Sequence, residues 1–109
     1  MAIRKILIVE DQALARTYLC SCVEKCKDCE VAGTLSCADA ALRRCGEGHI
    51  DLIIMDICTE NDSDGLTAAE SIKKFYPRIK IVMVTSMLIG QKKSAPTASG
   101  IRIHLRVTL

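Results

Sequence analysis

Leu52, Ile53, Ile54 and Met55 are apolar at four successive positions, and the run they belong to, HIDLIIMD from His49, ends on the carboxylate of Asp56. Side chains of a strand point alternately to its two faces, so such a run needs cover on both. That is the situation of a central strand in a parallel sheet flanked by helices. Asp56 then stands at the carboxyl end of the strand, on the edge where open α/β sheets bind ligands. The pattern recurs in IRKILIV from Ile3 to Val9, which runs into Glu10 and Asp11, and in IKIVMV from Ile79 to Val84, followed by the hydroxyls of Thr85 and Ser86. Val31 to Leu35 (VAGTL) predicts a shorter strand, interrupted by Gly33 and nearer the sheet edge.

Between these runs the period lengthens to that of a helix. Ala15, Leu19, Cys22, Val23 and Cys26 fall on one face, with Arg16, Glu24 and Lys27 elsewhere, which predicts a first helix from Gln12, directly after the acidic pair. Ser36 and Asp39 suit the start of a second, the Ser side chain accepting from a backbone N–H and the acid favouring the positive dipole end. That helix runs to about Cys45, with Gly46 and Gly48 to stop it. After a polar loop from Ile57 to Asp64, the spacing of Leu66, Ala69, Ile72 and Tyr76 predicts a third helix over residues 65–76, ended by Pro77. Strands alternating with helices imply right-handed βαβ crossovers, and the expected fold class is α/β, a flavodoxin-like doubly wound parallel sheet of order 2-1-3-4-5. Beyond Met87 the regularity stops. Gln91 to Gly100 has linker composition, and Ile101 to Leu109 alternates apolar residues with Arg102, His104, Arg106 and Thr108, so the fifth strand and last helix are left open.

The chain of 109 residues suffices for one domain, and with only Tyr18, Phe75 and Tyr76 aromatic its core must be aliphatic. No apolar segment reaches the length of a membrane span, and Met1 to Val9 lacks the features of a secretion signal, so a cytoplasmic protein with no membrane partner and reduced cysteines is expected. All 13 acidic residues lie at or before Glu70, whereas eight of the 15 Lys and Arg follow it. The later basic residues are dispersed, without aromatic interleaving or a helix-turn-helix pattern, so nucleic-acid binding is not expected through this chain alone.

In the order 2-1-3-4-5, strands one, three and four lie side by side, and their carboxyl ends bring Glu10, Asp11, Asp56 and Thr85 together. Asp11 and Asp56 suit Mg²⁺, which takes oxygen ligands in an octahedron and keeps several waters, with Glu10 acting through one of them. In ILIVED (Ile6 to Asp11), IDLIIMDI (Ile50 to Ile57), DGL (Asp64 to Leu66) and IVMVTS (Ile81 to Ser86), the chain resembles the receiver domain of bacterial two-component response regulators over about residues 3–87. The resemblance implies that Asp56 is the phosphoacceptor, taking a phosphoryl group from a sensor histidine kinase. It further implies that Asp11 and Glu10 form the Mg²⁺-binding acidic pair, that the backbone carbonyl of Cys58 completes the protein ligands, and that Thr85 is the switch hydroxyl. Such a domain is a signalling phosphoprotein rather than an enzyme, with at most self-phosphorylation and self-dephosphorylation chemistry.

Two departures from the family's pattern stand out. CTENDSDG, the loop after Asp56, lacks the family's Met-Pro pair and is one residue longer than usual before Asp64 and Gly65. The lysine that the family carries at the end of its fifth strand is missing, the last lysine here being Lys93, with Arg102 and Arg106 in the strand-like tail instead. The chain is therefore read as a receiver-like core over residues 1–87 and an atypical basic tail over residues 88–109, foreign to the family, with no output domain.

Other readings compete. Asp56 could simply cap its loop, Asp11 could be the N-cap of the first helix, and Thr85 could be an ordinary strand-end residue. Cys26 and Cys29 form a CxxC with Cys20 and Cys22 nearby, but no second pair or neighbouring His completes a zinc site, and Cys22 and Cys26 are expected to pack as small hydrophobes. An alternative function is a phosphorylation-independent interaction module: a sheet lacking its fifth strand would expose the fourth as an edge, giving a homodimer with residues 101–109 swapped between protomers.

Overall fold

The computed structural model describes residues 2–56, 62–88 and 101–108. Its elements follow the expected alternation: β1 (Arg4–Val9), α1 (Ala13–Glu24), β2 (Cys29–Leu35), α2 (Asp39–Gly46), β3 (Leu52–Asp56), α3 (Asp62–Phe75), β4 (Lys80–Leu88) and β5 (Ile101–Thr108). The strands form one sheet in the order β2-β1-β3-β4-β5. β1 pairs in parallel with β2 and β3, and β3 in parallel with β4, as a doubly wound sheet requires. β5 lies antiparallel to β4, with Ile81 opposite Thr108 and Leu88 opposite Ile101. The sheet is thus parallel over four strands and mixed at its last edge. With β5 in place the edge of β4 is covered, which removes the exposed edge on which the interaction-module reading relied.

Alternation along the central strands divides the core in two. Leu7, Val9, Ile53, Met55, Ile81 and Met83 turn to one face, where they pack with Ala41 and Cys45 of α2 and Ala69 and Ile72 of α3. Ile6 and Ile8 turn to the other, against Leu19 and Val23 of α1, with Leu52 and Ile54 partly buried beside them. Burying each of the larger side chains contributes about 1.5–3 kcal/mol, so this aliphatic set accounts for the stability of a chain with few aromatics. Phe75 and Tyr18 lie largely outside it, being exposed.

Several local expectations are corrected. The buried face of α1 is Ala15, Leu19 and Val23, spaced four apart, and Cys22 and Cys26 are exposed. Cys22 lies about 100° round the helix from Val23, and Cys26 lies beyond Glu24, where α1 has already ended. The N-cap of α2 is Ala38 with no side-chain cap bond, so Ser36 does not cap it, although Asp39 does occupy the first turn. Asp62 and Asp64, placed in a loop by their composition, belong to α3, which begins at Asp62. After α2 the chain reverses through two residues of positive φ, Gly48 (89°) and His49 (67°), the latter in a region that β-carbon sterics disfavour.

Asp51 ties the amino edge. Its carboxylate accepts from the Lys5 N–H at 2.8 Å, its own N–H donates to the Lys5 carbonyl, and its carbonyl accepts from the Lys80 N–H. The contrast between core and surface is testable in urea unfolding. Ile53→Ala or Ile72→Ala, each at a fully buried side chain, should cost about 2–5 kcal/mol, whereas Leu14→Ala, at a residue 60% exposed, should stay within about 0.5 kcal/mol of the parent.

Candidate functional site

The carboxyl ends of β1, β3 and β4 converge on one edge because the three strands run parallel and adjacent. Val9 is level with Met55, and Asp56 with Val84. One residue further along β1 therefore brings Glu10 level with Asp56, and one further along β4 is Thr85. The expected neighbourhood of Glu10, Asp11, Asp56 and Thr85 is formed at the level of the backbone. Asp56 closes β3, whereas Thr85 is not a strand terminus, since β4 continues to Leu88. The side chains of Asp56 and Thr85, and the whole of Cys58, lie outside the described residues.

Glu10 is the one buried charged side chain among the described residues, only 1% exposed. A carboxylate taken out of water requires donors, and the chain supplies one immediately: the Gln12 N–H donates to Glu10 Oε2 at 2.9 Å. The Glu10 backbone is fixed as well, its N–H donating to the Leu35 carbonyl and its carbonyl accepting from Arg16 Nη1 at 2.8 Å. The sequence pattern places Arg16 off the apolar face of α1 and gives Gln12 no part in the site. The available signal was their position, a cation and an unbonded helix-start N–H just after an acidic pair.

Asp11 is exposed at the start of the β1–α1 connection. It does not cap α1, whose N-cap is Gln12 in extended conformation without a side-chain cap bond. The two acids are thus held differently, one sequestered and bonded, the other open to solvent. Hard oxygen donors of this kind fit Mg²⁺, which favours one or two carboxylates with waters completing its shell.

β5 contributes to the same edge in an unexpected way. Because it runs antiparallel, its beginning lies beside the carboxyl end of β4: Arg102 is opposite Met87, His104 opposite Thr85, and Arg106 opposite Met83. By this register Leu105 is level with Asp56, His104 lies one residue further out along the carboxyl edge, and the arginines stand on either side, Arg106 one residue back and Arg102 three residues beyond.

Comparison with known proteins agrees with this arrangement. The profile of the response regulator receiver domain matches residues 6–102. Response regulator protein VraR of Staphylococcus aureus is 37% identical over 104 residues, 95% of this chain and 49% of that protein. The Staphylococcus epidermidis protein of the same name is 34% identical over the same length. The chain spans about half the length of the curated relatives it matches. Among solved structures, the Salmonella typhimurium RcsB response regulator superposes with a TM-score of 0.69 at 19% identity, covering 84% of this chain and 46% of that one. The receiver domain of the Erythrobacter litoralis PhyR response regulator gives 0.64 at 24% identity, covering 76% of this chain and 63% of that one. These two likenesses concern the fold. An acid-ended central strand, a sheet of order 2-1-3-4-5 and a profile match over most of its length together place the chain in the response regulator receiver domain family.

Proposed function

We propose that the chain is the phosphoacceptor module of a two-component signalling system, taking a phosphoryl group from a sensor histidine kinase onto Asp56 in the cytoplasm. The observation that carries this reading is the convergence at one sheet edge: Asp56 ends β3 level with the buried, anchored Glu10, which the exposed Asp11 follows in the chain. No helix among the described residues is long and apolar enough to cross a membrane.

In the proposed reaction a carboxylate oxygen of Asp56 attacks phosphorus in line with the departing imidazole nitrogen of the kinase. The P–O bond forms as the P–N bond breaks, and the imidazole leaves protonated or takes up a proton from water. Phosphoryl transfer of this kind depends mainly on positioning and on positive charge near the equatorial oxygens. Mg²⁺, when bound, supplies that charge, held by Asp11, Asp56 and the backbone carbonyl of Cys58, with Glu10 acting through water. Burial of Glu10 fixes the acidic pair before any ligand arrives, because its carboxylate is already bonded to the Gln12 N–H. The hydroxyl of Thr85 is assigned as donor to a phosphoryl oxygen. A modification that adds about −1.5 to −2 charge at this edge gives the chain a means of signalling to a partner without catalysing turnover of a separate substrate.

Incubation with a small phosphodonor and Mg²⁺, read by intact mass and peptide mapping, should label the wild type on Asp56, and Asp56→Asn should abolish the label. Persistence of labelling in Asp56→Asn would overturn the assignment. Asp11→Asn should raise the Mg²⁺ concentration needed for half-maximal labelling by about tenfold or more, measured by titration at fixed donor. Thr85→Ala should retain labelling while losing most of the phosphorylation-induced change in amide exchange along β4, read by hydrogen-exchange mass spectrometry.

A further inference from the structure

Four cysteines fall within ten residues, at 20, 22, 26 and 29, and the phosphoacceptor reading uses none of them. Their surroundings separate them. Cys20 is half-buried on α1, and burial foremost pushes its thiol up. Cys22 is exposed on the last turns of the same helix. Cys26 and Cys29 sit at the two ends of the reversal that joins α1 to β2, Cys26 exposed and Cys29 half-buried.

The backbone of that reversal brings the two ends together. The Cys29 N–H donates to the Cys26 carbonyl at 3.2 Å, closing a β-turn with Lys27 and Asp28 at its centre. A β-turn holds its first and last Cα atoms less than about 7 Å apart, and a disulfide spans Cα atoms about 4.4–6.8 Å apart. The turn is itself fixed on both sides: the Cys26 N–H donates to the Val23 carbonyl at 3.0 Å, and the Asp28 carbonyl accepts from the Arg4 N–H at 2.8 Å. The two thiols also sense one another, since side-chain hydrogen bonding with Cys26 is the foremost cause holding the Cys29 thiol up.

We infer that Cys26 and Cys29 form a dithiol modification site that closes to an intramolecular disulfide with a small-molecule disulfide such as oxidised glutathione. The exposed Cys26 thiolate attacks one sulfur of glutathione disulfide, forming a mixed disulfide and expelling glutathione thiolate, which takes up a proton. Cys29 then loses its proton and attacks the Cys26 sulfur, expelling the second glutathione. Two protein thiols are oxidised and one glutathione disulfide is reduced to two glutathiones. The site lies at the amino edge of the sheet, opposite Asp56, so it stands independently of the phosphoacceptor assignment.

The test is equilibration of the full chain in glutathione redox buffers, with quenching by alkylation and peptide mass mapping, natively and in urea. The expected result is that Cys26 and Cys29 lose alkylation together as a linkage within one peptide, with no mixed disulfide accumulating at either. The native chain should close at least about tenfold more favourably than the urea-unfolded chain, a difference of about 30 mV in reduction potential. Cys26→Ser should leave Cys29 alkylatable or singly glutathionylated, and Cys29→Ser should trap one glutathione on Cys26. Mixed disulfides at both positions in the wild type, a linkage of Cys22 to Cys26 instead, or equal closure in urea would each overturn the inference.

Discussion

Parallel pairing of β1 with β3 is the constraint on which the rest of the molecule depends. Both strands are apolar at successive positions, so neither can tolerate solvent on either face, and each must be sandwiched by helices. The register that aligns Val9 with Met55 buries Leu7, Val9, Ile53 and Met55 on one face and sets Ile6 and Ile8 on the other. A slip of one residue would exchange the faces of a whole strand. The same register brings the acids that terminate the two strands level with one another. The layout of the edge is therefore a consequence of core packing, and the backbone at the end of β3 cannot shift relative to Glu10 without disturbing the centre of the sheet.

The two faces are not covered equally. α2 and α3 together close one, and Leu7, Ile53, Met55, Ile72 and Ile81 are fully buried there. Among the described residues α1 alone covers the other, and Leu52, Ile54 and Val82 remain half-buried. The antiparallel β5 follows from the same shortage. A parallel return needs a crossover of about a dozen residues or more, usually a helix, and residues 89–100, with Pro96 and a run of small and polar side chains, carry no apolar helical period. The strand therefore returns along β4 in the opposite sense. One effect is that the start of β5, not its end, reaches the carboxyl edge, with His104 opposite Thr85 and Arg102 further out opposite Met87.

Strand order, the adjacency of β1, β3 and β4, and the position of Asp56 were legible in the sequence because each rests on period and on abrupt chemical change: four apolar residues followed by an acid admit few foldings. The limits of the helices were less legible. The apolar spacing of α1 continued through Cys26, but the backbone turns at Lys25, and nothing in a list of small hydrophobes tells a thiol on the buried face from one beyond the helix end. Asp62 and Asp64 read as loop residues, although acids near a helix start are favoured by its dipole. Ser36 had the right chemistry for a cap and the wrong distance from the first helical turn. Local polarity marks an interruption, whereas the residue at which a helix begins is decided by tertiary packing.

Glu10 shows most directly how fold and site are joined. Had the chain needed only charge at this edge, two exposed acids would have served, with no cost of desolvation. Instead one acid is withdrawn from solvent and bonded to the Gln12 N–H at the start of α1, while Arg16, one helical turn on, binds the Glu10 carbonyl. Those contacts tie the end of β1 to the beginning of α1, so the exposed Asp11 between them is carried on a short connection fixed at both ends. A buried carboxylate adds little to stability compared with an apolar residue of its size. What its contacts fix is position: they join the end of β1 to the first turn of α1 and so anchor the connection that carries the neighbouring acid.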